Sequence, residues 1–196
     1  MYKRQTLRFK LDPTSSWDER LIEELVATGA VDSVDFKGYY SGSVVDQPAD
    51  PVLYRRVAEA FPEAWIEDPA LSEETDAVLA PHRARFSWDA QIHSIADIEA
   101  LPYPPRMVNI KPSRLGGLRS LLDTYDYCAA RDIGNYGGGQ FELGVGRGQN
   151  QYLASLFHAD APNDVAPSGF NLTEPPAGLP SSPLTPSPGA TGFAWG

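Results

Sequence analysis

A single figure recurs along the middle of this chain, and few folds can accommodate it. A short apolar run ends in a charged residue, and a segment with helical spacing follows. The runs are Val31-Asp32-Ser33-Val34-Asp35, Trp65-Ile66-Glu67-Asp68-Pro69, Ala84-Arg85-Phe86-Ser87-Trp88-Asp89 and Met107-Val108-Asn109-Ile110-Lys111. Asp35, Glu67, Asp89 and Lys111 stand at their ends, 32, 22 and 22 positions apart. Strand-sized runs alternating with helix-sized segments read as βα units. Successive parallel βα units bring the C-terminal ends of their strands to one face. An isolated Glu67-Asp68-Pro69 would read as a solvated acidic turn, and its recurrence on both sides is what favours a site. Buried charges need a partner or a metal. Three hard oxygen ligands suit Mg²⁺, which binds through a few carboxylates plus water and substrate.

The flanking segments extend the same pattern. Thr6-Leu7-Arg8-Phe9-Lys10-Leu11 alternates as a strand,. Ser16 is positioned to cap a helix over residues 17–28, with Glu19 completing a capping box and Leu21, Ile22, Leu25 and Val26 forming its apolar stripe,. A long loop follows Lys37, carrying Tyr39 and Tyr40 beside glycines. Asp50 and Pro51 mark the start of a helix reaching about Phe61,. Further helices are expected over residues 71–79, 94–101, 118–131 and 149–158. The glycines around Gly144-Val145-Gly146-Arg147-Gly148 lack the lysine of a phosphate loop and match no dinucleotide fingerprint,. Strand-like runs at Leu7, Val31, Ala64, Arg85, Met107, Gln140 and Val165 make seven. From Asn171 Pro and Gly dominate, so residues 1–170 read as one domain and 171–196 as a tail whose Phe193 and Trp195 would dock on it,.

Composition excludes several classes. A formal charge of −10 argues against nucleic acid or an anionic membrane surface as partner,. No apolar run approaches the ~18 residues of a membrane span, and the first residues lead into no signal-peptide core. One cysteine, Cys128, has no internal disulfide partner, which fits a cytoplasmic setting,. It falls in the helical pattern Leu118-Leu121-Leu122-Tyr125 and reads as a buried structural thiol,.

Asp35, Glu67 within I-E-D-P, Asp89, and Lys111 within N-I-K-P-S-R-L-G-G resemble the enolase superfamily in its muconate-lactonising and o-succinylbenzoate-synthase branch, from about Leu7 to Trp195. The resemblance implies an α/β fold, an incomplete (β/α)8 TIM-type barrel of about strands two to eight. It implies that Asp35, Glu67 and Asp89 bind Mg²⁺, that Lys10 and Lys111 are the acid/base pair, and that Lys37, Tyr39, Gly139 and Glu142 lie toward substrate. Lys10 holds this role when Arg8-Phe9-Lys10 is aligned with the Lys-x-Lys of that branch; a shift of two would put Asp12 there. His82, His93 and His158 do not form the His-Asp dyad of the mandelate-racemase branch.

The family's capping domain and first barrel strand have no counterpart in this sequence. The strand bearing Lys10 is therefore expected at an open edge, and a homo-oligomer or a separate segment would supply what is missing. The implied reaction removes a proton α to a carboxylate of a small carboxylate substrate, through an enediolate that Mg²⁺ and lysine bases stabilise. It ends in dehydration, cycloisomerisation or racemisation, with o-succinylbenzoate-synthase-like chemistry favoured. The alternative is a barrel remnant that binds metal weakly and turns nothing over.

Overall fold

In a computed structural model, residues 8–140, 142, 145–165, 169, 172–174 and 176–178 are described. Six strands occur among them: β1 Phe9–Leu11, β2 Val31–Asp35, β3 Trp65–Glu67, β4 Phe86–Trp88, β5 Met107–Ile110 and β6 Gly134–Gly137. They form one sheet in sequence order, with β1 at its end. The four pairings from β1 to β5 are all parallel. This is an α/β fold, an incomplete (β/α)8-type barrel.

The register explains the alternation in sequence. Asp35 lies beside Glu67, Glu67 beside Ser87, and Ser87 beside Met107, so these positions share one face of the sheet. The other face carries Val34, Ile66, Phe86, Trp88 and Val108, all buried. A parallel sheet is covered on both faces, and here the first face is polar: Ser33, Asp35, Glu67, Ser87, Asp89, Asn109 and Lys111 are buried too.

The described residues fall into two compact units, residues 8–92 with 96–108, and residues 93–95 with those described from 109 onward. The first unit holds helices α1 Glu19–Ala27, α2 Pro51–Ala60 and α3 Glu73–Leu79. Asp18, not Ser16, caps α1, accepting a hydrogen bond from the Leu21 N–H at 2.8 Å. Ser16 lies too far back and its hydroxyl is 2.7 Å from that of Thr14 instead. Asp50 caps α2 with Pro51 in the first turn, as expected, taking the N–H groups of Val52 and Leu53. Replacing Asp50 by Ala is expected to cost about 1 kcal/mol by strip-out of this cap, read as a lowered urea midpoint. Phe36 stacks on Tyr54 at 3.9 Å between ring centroids, and Phe86 meets Trp88 edge-on.

The second unit holds α5 Pro112–Leu115, α6 Leu118–Ala129 and α7 Val145–Phe157, together with β6; the short helix α4 Ile95–Glu99 straddles the boundary. Cys128 is a free, fully buried thiol on α6, and burial pushes its pKa up to about 11, as suits a structural residue,. The strand expected at Gln140 forms earlier, at Gly134–Gly137, where Tyr136 supplies the buried side chain. Gln140 lies in a bend beyond it, its N–H taken by the Glu142 carboxylate at 2.7 Å. Of the last expected strand, the described residues show a single parallel bridge between Gly138 and Asp164; residues 166–168 and 170 lie outside the description, as do Phe193 and Trp195.

Candidate active site

Asp35 and Glu67 are the last residues of adjacent strands in direct register, and both are fully buried. Asp68 would point to the opposite face if the strand continued. Its backbone instead turns left-handed, at φ 46°, and its carboxylate accepts the N–H groups of Asp89 and Ala90 at 2.9 and 2.8 Å. The result is a group of three: one oxygen from each of Asp35, Glu67 and Asp68 lies within 4.8 Å of the others. Asp89 follows β4 directly, is buried, and accepts a hydrogen bond from the Tyr40 hydroxyl at 3.3 Å. Asp68 was legible only as half of an acidic pair. Its signal is the Asp-Pro step that breaks the strand and frees its carboxylate to turn.

Lys10 reaches the same place because of a β-bulge. Phe9 pairs with Val31 but Lys10 pairs with Ser33, so β2 skips Asp32. The slip puts Lys10 on the face of Ser33 and Asp35; bulges re-aim side chains in this way. Its ammonium is 2.6 Å from Glu67 Oε1 and 3.1 Å from Asp35 Oδ2. Lys37 also holds a left-handed backbone, at φ 56°. Its N–H donates to Asp35 Oδ1 at 3.0 Å, its ammonium pairs with Asp35 Oδ2, and Asp12 Oδ1 is 3.5 Å away.

The electrostatics follow from this packing. Burial pushes the Asp35 carboxyl upward, but Lys10 and Lys37 together outweigh it and hold it below its ordinary value. Glu67 goes the other way: burial raises it well above a normal glutamate, and Asp35, Asp89 and Asp68 add to this against Lys10. Burial and the charge of Asp89 raise Asp68 to about 7. Burial and the mutual repulsion of these acids thus disfavour ionising Glu67 and Asp68 together with their neighbours,. Hard oxygen donors that repel one another and lie close enough to share an ion fit a divalent cation such as Mg²⁺,.

The loop after Lys37 lies against this cluster. Gly38 donates its N–H to the Asp68 carbonyl at 2.9 Å, and a side chain at Gly38 would overlap the backbone of Ala70. Tyr39 is partly exposed beside Trp88, with its hydroxyl bonded to Gln91. Tyr40, rather than Tyr39, is the tyrosine that reaches a carboxylate of the cluster.

In the second unit, Lys111 follows β5 and is buried at the start of α5. Gly138 leaves room for it: a Cβ there would stand 2.6 Å from Lys111 Cε and 2.5 Å from Asn109 Oδ1. Glu142 accepts from Ser113 Oγ at 3.1 Å as well as from Gln140. Burial raises its pKa, but these donors prevail and lower it. Gly139 packs against Glu142 and Arg147, where a Cβ would come within 2.7 and 2.8 Å of their polar atoms. His158 is buried between the Tyr125 hydroxyl and Asn163, and His82 lies 3.0 Å from Arg85.

Among curated proteins, residues of this chain are 35% identical over 94 positions to the o-succinylbenzoate synthase of Listeria innocua, 47% of this chain and 25% of that protein. They are 40% identical over 74 positions to the N-succinylamino acid racemase of an Amycolatopsis species, 36% of this chain and 20% of that protein. The matched segments thus span a quarter or less of these relatives' length. A solved enolase-superfamily structure from Listeria innocua superposes with a TM-score of 0.58 at 26% identity, over 75% of this chain and 40% of its own. The profile of the family described as "Domain of unknown function (DUF8230) C-terminal domain" matches residues 1–172. The chain therefore belongs to this DUF8230 C-terminal-domain family, and its strand order, strand-end acids and matched relatives make it similar to members of the enolase superfamily.

Proposed function

We propose that this chain carries the acid/base and cation-binding face of an enzyme that removes a proton α to a carboxylate, with o-succinylbenzoate-synthase-like or N-succinylamino-acid-racemase-like chemistry as the nearest description. The observation that carries this reading is the buried cluster of Asp35, Glu67 and Asp68 at the ends of β2 and β3, tied to Lys10. Asp35 and Glu67, with Asp89 or Asp68 as the third carboxylate, would hold Mg²⁺. A bound Mg²⁺ supplies Lewis acidity toward a substrate carboxylate.

The chain's own residues account for the rest. Lys10 and Lys111 are the proposed acid and base: Lys111 is buried directly after β5, and Lys10 stands on Glu67 and Asp35,. A lysine serves as a base only in its neutral form, so its carboxylate neighbours must be engaged elsewhere when it acts. Lys37, Tyr39, Gly139 and Glu142 are the proposed substrate-facing residues. Tyr40 is added to them, since its hydrogen bond fixes the Asp89 carboxylate.

A second reading is cation binding without turnover, which the carboxylate cluster supports by itself, since its donors could hold an ion whether or not a proton is abstracted. One experiment separates the two. The chain is incubated in D₂O with Mg²⁺ and an N-succinylamino acid, and the α-proton signal is followed by NMR. Its loss, dependent on Mg²⁺, supports proton abstraction. Mg²⁺ binding with an unchanged α-proton signal supports the second reading.

A further inference from the structure

We infer that Lys37 is a tethered counter-cation that must leave Asp35 before a divalent cation binds there, and that Asp12 is the carboxylate that receives it. This rests on the reading of Asp35 and its neighbours as a cation site. Lys37 engages both oxygens of Asp35, its N–H on Oδ1 at 3.0 Å and its ammonium on Oδ2. The Lys10 ammonium stands on the same Oδ2, at 3.1 Å. Two ammonium groups on one oxygen repel each other, and a divalent cation added there meets both.

The two lysines differ in where they can go. Lys10 is held by two fully buried carboxylates at once, Asp35 at 3.1 Å and Glu67 at 2.6 Å. Lys37 has an outward alternative: Asp12 Oδ1 is 3.5 Å away and its side chain is 52% exposed, against 0% for Asp35. The left-handed backbone at Lys37 keeps the residue over the strand end while the flexible stem carries the charge from one carboxylate to the other,. A cation about 2.0–2.1 Å from an Asp35 oxygen takes the lone pair the ammonium uses. Lys37 thereby sets a threshold concentration for cation binding, and once displaced it is a charge available at the site's rim.

The test is calorimetric titration of the full chain with Mg²⁺ at constant ionic strength, in four forms: wild type, Lys37→Met, Asp12→Asn and the double variant. Thermal melts first establish that each is folded, and Lys37→Gln serves as a second replacement that keeps polarity. Removing the competitor is expected to tighten Mg²⁺ about tenfold, the scale of one neighbouring charge on a carboxylate. Asp12→Asn is expected to weaken it several-fold, because the displaced ammonium loses its destination. The double variant is expected to match Lys37→Met, since Asp12 acts only through Lys37. Wild-type affinity in both Lys37 variants, or an undiminished Asp12 effect in the Lys37→Met background, overturns the inference and leaves the cation site standing. Absence of Mg²⁺ binding in all four forms overturns both.

Discussion

Replacing Lys111 by Ala in the full-length protein is expected to slow α-proton exchange by at least about 100-fold, the usual loss for a general acid–base residue, with Mg²⁺ affinity kept. Lys111 is buried, follows β5 directly, and has space kept open for its stem by Gly138. Lys10→Ala is expected to give a similar loss of exchange, but here Mg²⁺ affinity is expected to move as well. Lys10 stands on Glu67 and Asp35, so its removal changes the charge balance of the carboxylates themselves. Exchange measured separately for the two enantiomers of the substrate shows whether each lysine serves one face. Near-normal exchange in Lys10→Ala leaves Lys111 as sole base or points to Lys37. Near-normal exchange in both variants ends the proton-abstraction reading.

Much of this arrangement was legible because the sequence repeats a strand-length period with a charge at each end. The period located β2, β3, β4 and β5, and it put Asp35, Glu67, Asp89 and Lys111 just at or beyond their ends. What the sequence could not convey was local backbone geometry. The position of Lys10 depends on a bulge opposite Asp32, and no side-chain pattern in Arg8-Phe9-Lys10 announces it. The turn that brings Asp68 into the cluster needs a left-handed residue other than glycine, a conformation that propensity disfavours,. The bounds of β6, Gly134–Gly137 rather than a run at Gln140, are hard to read because a strand half made of glycine is a weak signal,. Its pairing is decided by buried Tyr136 and by the partners around it rather than by its own preference,.

The buried acids also set how stability responds to pH. Asp68 has a pKa of about 7 in the folded chain, against roughly 3.9 for an aspartate in an unfolded one. The folded state therefore keeps a proton that the unfolded state gives up. The stabilisation from that proton is fully present below about pH 4 and is lost as pH rises through about 7. A separation of about three units corresponds to roughly 4 kcal/mol at full development. Glu67, also raised by burial, acts in the same direction. Without divalent cation the chain is thus expected to be more stable in urea at pH 5 than at pH 8. Asp68→Asn, which carries no titrating proton, is expected to flatten this dependence, and saturating Mg²⁺ is expected to raise the midpoint at pH 8 more than at pH 5. Equal midpoints at the two pH values in chelator would show that the buried acids are already compensated and would remove the electrostatic case for a cation among them.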